Sequence, residues 1–197
     1  VAKSVVDEGG EASKHGERIH AFLEARLKKE ADLPQEVVAY EPLTQSVEKL
    51  ASKDGAELYI EHELTLSDLL VPTGWYAPDA WIRSKLDVLV INGADAVVMD
   101  WKTGKRKMDF FQLQLFAVQV FKHFPQVQRV KTSLVWLKTM EMDTEQYTRL
   151  EANGMWQDIM MRIRRIEQAL EHDNWPAKPS GLCRYCPARH LCDYAKL

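Results

Sequence analysis

Cysteine is scarce in this chain. There are three in 197 residues, Cys183, Cys186 and Cys192, all within ten positions of one another. An odd count without a secretory pattern excludes a disulfide scaffold and points to a reducing compartment. Long apolar runs are lacking too: nothing approaches the ~20 residues of a bilayer-spanning helix. The start shows no basic-then-apolar leader, so a cytoplasmic protein without membrane partners is expected. Net charge is only −3, so composition alone does not announce a nucleic-acid partner. Repeats and low-complexity stretches are absent as well. With 46% hydrophobic and 28% charged residues, the chain suits one sizeable globular domain, or one domain with a small appendage.

The charge that is present is unevenly spread. Lys102, Lys105, Arg106 and Lys107 follow Asp100, and Arg162, Arg164 and Arg165 fall together later on. Carboxylates ringed by cations suit a polyanion even at near-neutral total charge, although such runs are more commonly solvated faces.

Hydrophobic spacing predicts a helix from 11 to about 30, with Ile19, Phe22, Leu23 and Leu27 on one stripe, Ser13 near its start and His20 beside the stripe. A second helix is expected over about 43–53, ended by Asp54-Gly55. Strands are expected over 57–66, 80–91 and 95–102, with Asn92-Gly93-Ala94-Asp95 as a hairpin turn. A helix over 109–124 is stopped by Pro125. A strand over 129–138 follows, then a long helix from Thr144 to His172 capped by Asp143 or Thr144. Trp75, Tyr76, Trp81 and Trp136 read as core or wall before they read as base-stacking platforms. The order implies a mixed α/β domain, a central sheet with helices on its faces.

The most telling segments are Lys85–Val90 and Val97–Lys102, each an apolar run carrying an acid. On a strand, Asp100 and Lys102 share one face. Burying a carboxylate beside an ammonium is costly unless something uses them. The hairpin turn makes Asp87 and Asp100 neighbours on adjacent strands, to within the register that sequence allows. Two carboxylates and a lysine on one edge can bind a divalent metal and activate water against a phosphodiester.

Four stretches in this order resemble the PD-(D/E)xK nuclease superfamily, and most of all its RecB-type exonuclease branch, which includes CRISPR-associated and phage exonucleases. They are Gly16-Glu17-Arg18-Ile19-His20, Asp87, Asp100-Trp101-Lys102-Thr103-Gly104-Lys105, and Gln112-Leu113-Gln114-Leu115-Phe116. The resemblance implies a restriction-endonuclease-like core of a central mixed sheet flanked by helices. It also implies Mg²⁺ or Mn²⁺ on His20, Asp87, Asp100 and the Trp101 carbonyl, with Glu61 (or Glu63) as a further acid. By the same resemblance, Lys102 orients or deprotonates water and Gln112 positions water, lysine or DNA. Two positions depart from the pattern: Ser84 where a Gly is common, and Phe116 where a Tyr is common. The implied activity is a DNA exonuclease in recombination, repair or phage DNA processing, bacterial or phage-encoded, with a recombination or helicase partner. A structure-specific endonuclease and a non-catalytic DNA-binding module are the alternatives.

The expected organisation is a nuclease domain over 1–175 and a cysteine-containing tail over 176–197 packed on it. Cys183-x-x-Cys186-x₅-Cys192 is similar to the C-terminal cysteines of iron–sulfur nucleases of that branch. Those use a fourth, upstream Cys, which in this protein would have to precede Val1. A zinc site with His190 and a reduced, metal-free cluster remain open. Soft thiolates exclude the catalytic Mg²⁺ from this site.

Overall fold

The sheet has five strands arranged in chain order: β1 (Ala56–Leu66), β2 (Ile82–Asn92), β3 (Asp95–Lys102), β4 (Arg129–Trp136) and β5 (Glu141–Thr148). The computed structural model describes residues 10–107 and 109–196; the first nine residues of the expected domain and the last residue of the tail lie outside these. Neighbouring strands are antiparallel except β3 and β4, which are parallel. A parallel step needs a crossover, and α3 (Phe110–His123) supplies it. Asp109 caps that helix by accepting from the Gln112 backbone N–H at 3.2 Å.

Helices cover both faces. α1 (Glu11–Leu27) and α2 (Glu41–Ala51) pack Ile19, Leu23, Leu27 and Val47 against Val88, Val90, Met99 and Trp101. On the other face, α3 and α4 (Ala152–Glu171) pack Phe116, Phe121, Trp156 and Ile159 against Leu64, Leu86, Leu89, Ile91 and Val98. The mixed sheet with flanking helices is the restriction-endonuclease-like core that the motifs imply. No helix among the described residues is long and apolar enough to cross a membrane.

The alternation of faces breaks once, on two strands together. In β1, Leu58 and Ile60 face the α1–α2 layer, yet Leu64 and Leu66 face the α3 layer. In β2, Val88 and Val90 face the α1–α2 layer, whereas Leu86 faces α3. Pairing continues in one register across the break, Ile60↔Val88 and His62↔Leu86. Between those pairs stand Glu61, whose φ is 52°, and Asp87. A left-handed glutamate is uncommon, and here it inverts the strand beside the candidate site.

One expected element is wrong. The long helix from Thr144 does not begin there: Glu141–Thr148 is β5, paired with β4 from Trp136↔Glu141 to Arg129↔Thr148. Asp143 and Thr144 are strand residues and cap nothing. α4 starts at Ala152, after a turn in which the Thr148 N–H donates to the Glu151 carboxylate at 2.6 Å. Met, Glu and Gln favour helix locally, but an edge strand needs only one neighbour, and pairing with β4 overrides propensity. Of the α4 methionines, Met155 is buried in the core and Met161 is exposed. The segment after α4 holds three short 3₁₀ turns, Gly181–Tyr185, Arg189–Leu191 and Asp193–Lys196, and is largely exposed, with Ala195 buried.

Candidate active site

The β2–β3 hairpin turns on two residues, Gly93 and Ala94, between the pair Asn92↔Asp95, and Gly93 takes a φ of 57°. From there the ladder runs to Val88↔Met99 and stops. One more step would pair Asp87 with Asp100. β3 goes on pairing β4 as far as Lys102↔Trp136, and β2 goes on pairing β1. The sheet therefore forks where the two carboxylates stand. Both are buried, at 7% and 6% exposure.

Each carboxylate meets β3 and a different helix. Asp87 Oδ2 accepts the Trp101 backbone N–H at 2.6 Å, and its Oδ1 lies 3.1 Å from His20 Nδ1 on α1. Asp100 Oδ1 accepts from Gln112 Nε2 on α3 at 3.4 Å. Lys102 Nζ stands 2.5 Å from Asp100 Oδ2 as an ion pair, but that buried oxygen receives no hydrogen bond of regular geometry. Glu61 Oε2 pairs with Lys85 Nζ at 2.7 Å. His20, Glu61 and Asp87 each bring a donor atom within 4.8 Å of the others.

The electrostatics follow from this crowding. Burial, then the charge of Asp87, push the Asp100 carboxyl up to about 6, against the pull of Lys102 and His20. The hydrogen bond to Asp87 raises His20 above its ordinary value, against the effect of burial. The close approach of α1 depends on a missing side chain: a Cβ on Gly16 would sit 3.0 Å from Thr103 Oγ1. Gly16 thus lets α1 lie against the segment leaving β3, with His20 one turn further on.

The residues fit a hard divalent cation. Carboxylate oxygens and one imidazole are the donors such ions accept, the imidazole suiting Mn²⁺ better than Mg²⁺. Asp100 Oδ2 is a buried acceptor that already faces positive charge, the Lys102 ammonium at 2.5 Å. Of the expected ligands, His20, Glu61 and Asp87 bring donor atoms within 4.8 Å of one another, while Asp100 stands outside that group of three and instead holds Lys102 and Gln112. Trp101 takes part through its N–H, which clamps Asp87. Glu63 is exposed and stands outside the cluster.

The profile of the PD-(D/E)XK nuclease superfamily matches residues 2–193. The chain belongs to this superfamily. No curated protein matches it in sequence. Among solved structures it is similar to the "Putative exonuclease" from Eubacterium rectale, at 13% identity and a TM-score of 0.48, over 91% of this chain and 80% of the other. It is also similar to SSO0001, at 14% identity and a TM-score of 0.40, over 83% and 73%. As a PD-(D/E)XK nuclease the protein is a hydrolase of nucleic acids, of a superfamily that generally uses Mg²⁺ or Mn²⁺.

Several features of this PD-(D/E)XK nuclease were not foreseen from its motifs. Lys85 faces the cleft and holds Glu61. Arg106, in the basic run after Lys102, is committed to the buried Asp143 on β5 through Nε at 3.1 Å and through Nη2. Trp136 is buried, as its reading as core or wall has it, and its indole N–H donates to the same Asp143 at 2.8 Å. Tyr76 is exposed, and the Trp75 carbonyl accepts from Arg83 Nε at 2.7 Å. Ser84, at the position where a glycine is common, accepts from the buried Gln119 Nε2 at 2.7 Å. Phe116 is part of the core. Arg162 lies over the ring of Phe111 on α3, at 3.9 Å. Cys183 and Cys192 are half-buried and Cys186 is exposed, all three as free thiols. Among the described residues the cysteines and His190 do not bring three donors within 4.8 Å of one another.

Proposed function

We propose that this nuclease is a metal-dependent deoxyribonuclease that removes nucleotides from DNA ends, in recombination, repair or phage DNA processing. The observation that carries the reading is the fork: two buried carboxylates, a histidine, a lysine and a glutamine from four separate elements converge on it. Exonuclease action is supported by the RecB-type spacing of Gly16 to His20 and of Gln112 to Phe116.

Asp87, Asp100, His20 and Glu61 would hold Mg²⁺ or Mn²⁺. When bound, the ion polarises the scissile phosphate and lowers the pKa of a water. The chain supplies the remainder. The Trp101 N–H fixes one oxygen of Asp87 and leaves the other toward His20. Gln112 holds Oδ1 of Asp100, so Oδ2 points to Lys102. The Lys102 ammonium orients the attacking water and offsets the charge that builds on the phosphate oxygens. His20, with its proton affinity raised by Asp87, must be neutral to donate a lone pair, which favours activity above the acid range.

The test uses end-labelled linear and closed-circular DNA with Mn²⁺, Mg²⁺ or EDTA, for wild type and Lys102→Ala. Metal-dependent loss of linear DNA alone, absent in the variant, is the expected result. Nicked circles would make the enzyme an endonuclease. Intact DNA in both metals, with the protein folded, would leave a DNA-binding module.

A further inference from the structure

The cleft between α1 and the fork holds about 560 Å³. Its wall is acidic. Glu17, Glu24 and Glu61 line it beside His20, with Asp87 in contact with that histidine. A phosphodiester brings one negative charge per nucleotide, and it does not enter such a cleft unless cations face it. Two lysines line the wall, Lys102 and Lys85. Only the first has a role in the mechanism above.

The two lysines are held in parallel ways. Lys102 rests on Asp100 and Lys85 on Glu61, at 2.5 and 2.7 Å. Each thus neutralises a carboxylate that a divalent cation would claim. Lys85 stands two residues before Asp87 on β2, and its side chain is 49% exposed, against 14% for Glu61. Its head is therefore fixed at one end of a solvated, flexible stem, which lets the ammonium turn while the backbone stays paired.

We propose that Lys85 is a second phosphate-binding lysine of this cleft, held on Glu61 until that carboxylate is engaged by the divalent cation and then turned to a phosphate of the nucleic-acid strand. Binding of metal and binding of strand are thereby coupled through one side chain. The inference rests on the nuclease reading, and the experiment separates the two.

The full chain and its Lys85→Gln, Lys85→Arg and Glu61→Gln forms are compared after circular dichroism establishes that each is folded. The probe is a fluorescein-labelled single-stranded oligonucleotide with phosphorothioate linkages to slow cleavage. In Mn²⁺, Lys85→Gln should flatten the plot of log affinity against log salt by about 0.7, one phosphate contact on a single strand, and Lys85→Arg should restore it. Without oligonucleotide, Lys85→Gln should bind Mn²⁺ several-fold more tightly, because no ammonium competes for Glu61. In EDTA, Glu61→Gln should bind the oligonucleotide several-fold more tightly than wild type, and the added Lys85→Gln change should cancel that gain. An unchanged salt slope, or Mn²⁺ affinity that stays the same or falls, overturns the proposal. Wild type that neither binds nor cuts the unmodified strand in Mn²⁺ overturns the nuclease reading instead.

Discussion

Asp100 on β3 and Asp143 on β5 are buried to nearly the same degree, 6% and 7% exposed, and each faces a cation. Their proton affinities nevertheless move in opposite directions. Asp143 receives the Arg106 guanidinium on both oxygens and the Trp136 indole N–H on one, which holds it below the usual carboxylate range. Asp100 has one long hydrogen bond, an ion pair out of hydrogen-bond geometry, and a second carboxylate next to it. It is pushed up to about 6. Burial alone thus distinguishes nothing. The satisfied carboxylate is a clamp that ties the segment after Lys102 to β5, and the unsatisfied one is where chemistry is expected.

The largest test of that contrast is loss of charge at the fork. Asp100→Asn and Lys102→Ala should each lower DNA cleavage by about 10³-fold or more, in line with the loss of a preorganised charge at a reacting phosphate. In EDTA, Asp100→Asn should also raise the urea midpoint, because a buried ionised group is removed. Asp143→Asn should do the reverse, lowering the midpoint while costing less than about tenfold in cleavage. Cleavage lost as completely in a folded Asp143→Asn protein as in Asp100→Asn would end the distinction.

The pH dependence sharpens it further. Between about 3.8 and about 6 the folded chain keeps a proton on Asp100 that the unfolded chain has released. Stability from this group therefore falls as pH rises through that window, by on the order of 3 kcal/mol in full. For Asp143 the sign is opposite: its contribution is present above the ordinary carboxylate range and is lost as pH falls through its depressed value. Urea midpoints in EDTA at a series of pH values should lose the first trend in Asp100→Asn and the second in Asp143→Asn. In the wild type, calorimetric Mn²⁺ affinity should weaken as pH falls through the raised value of His20, and more steeply below about 6, where Asp100 also takes up a proton.

The smallest expected effect concerns Gly16. A Cβ there presses on Thr103 Oγ1 at 3.0 Å, but alanine also gains about 1 kcal/mol of helix propensity. Gly16→Ala should leave the melting temperature nearly unchanged and slow cleavage several-fold by shifting His20. A measurable loss of stability with full activity would show that the contact does not position the histidine.

The fork was legible in the sequence because its parts are local. Asp87, Asp100 and Lys102 belong to one hairpin with a turn signal at its centre, and period-two alternation fixes which residues share a face. His20 and Gln112 needed the resemblance, since nothing in a helix stripe marks a candidate site residue. The remaining features are long-range or carry no local signal. Arg106 and Asp143 are 37 positions apart, so the arginine read as one more member of a basic run. The inversion at Glu61 carries no glycine to announce a positive φ. The second half of β5, from Thr144, reads as the start of a helix because Glu145 and Gln146 favour that state locally, and the turn before β5 bends at Met140, with φ 56°, again without glycine.

The turn at Gly93 and Ala94 has a consequence of its own. Surface turns are ordinarily where a chain accepts an inserted residue most readily. This one acts as a ruler, because the number of residues between Asp87 and Asp100 decides whether the two carboxylates arrive at the fork together. An insertion beside Gly93 would slide one arm of the hairpin past the other by a residue and turn its alternate side chains to the opposite layer. A position on the periphery of the molecule thus carries the length tolerance of the candidate active site, and variation in loop length across the family should be confined to other connections.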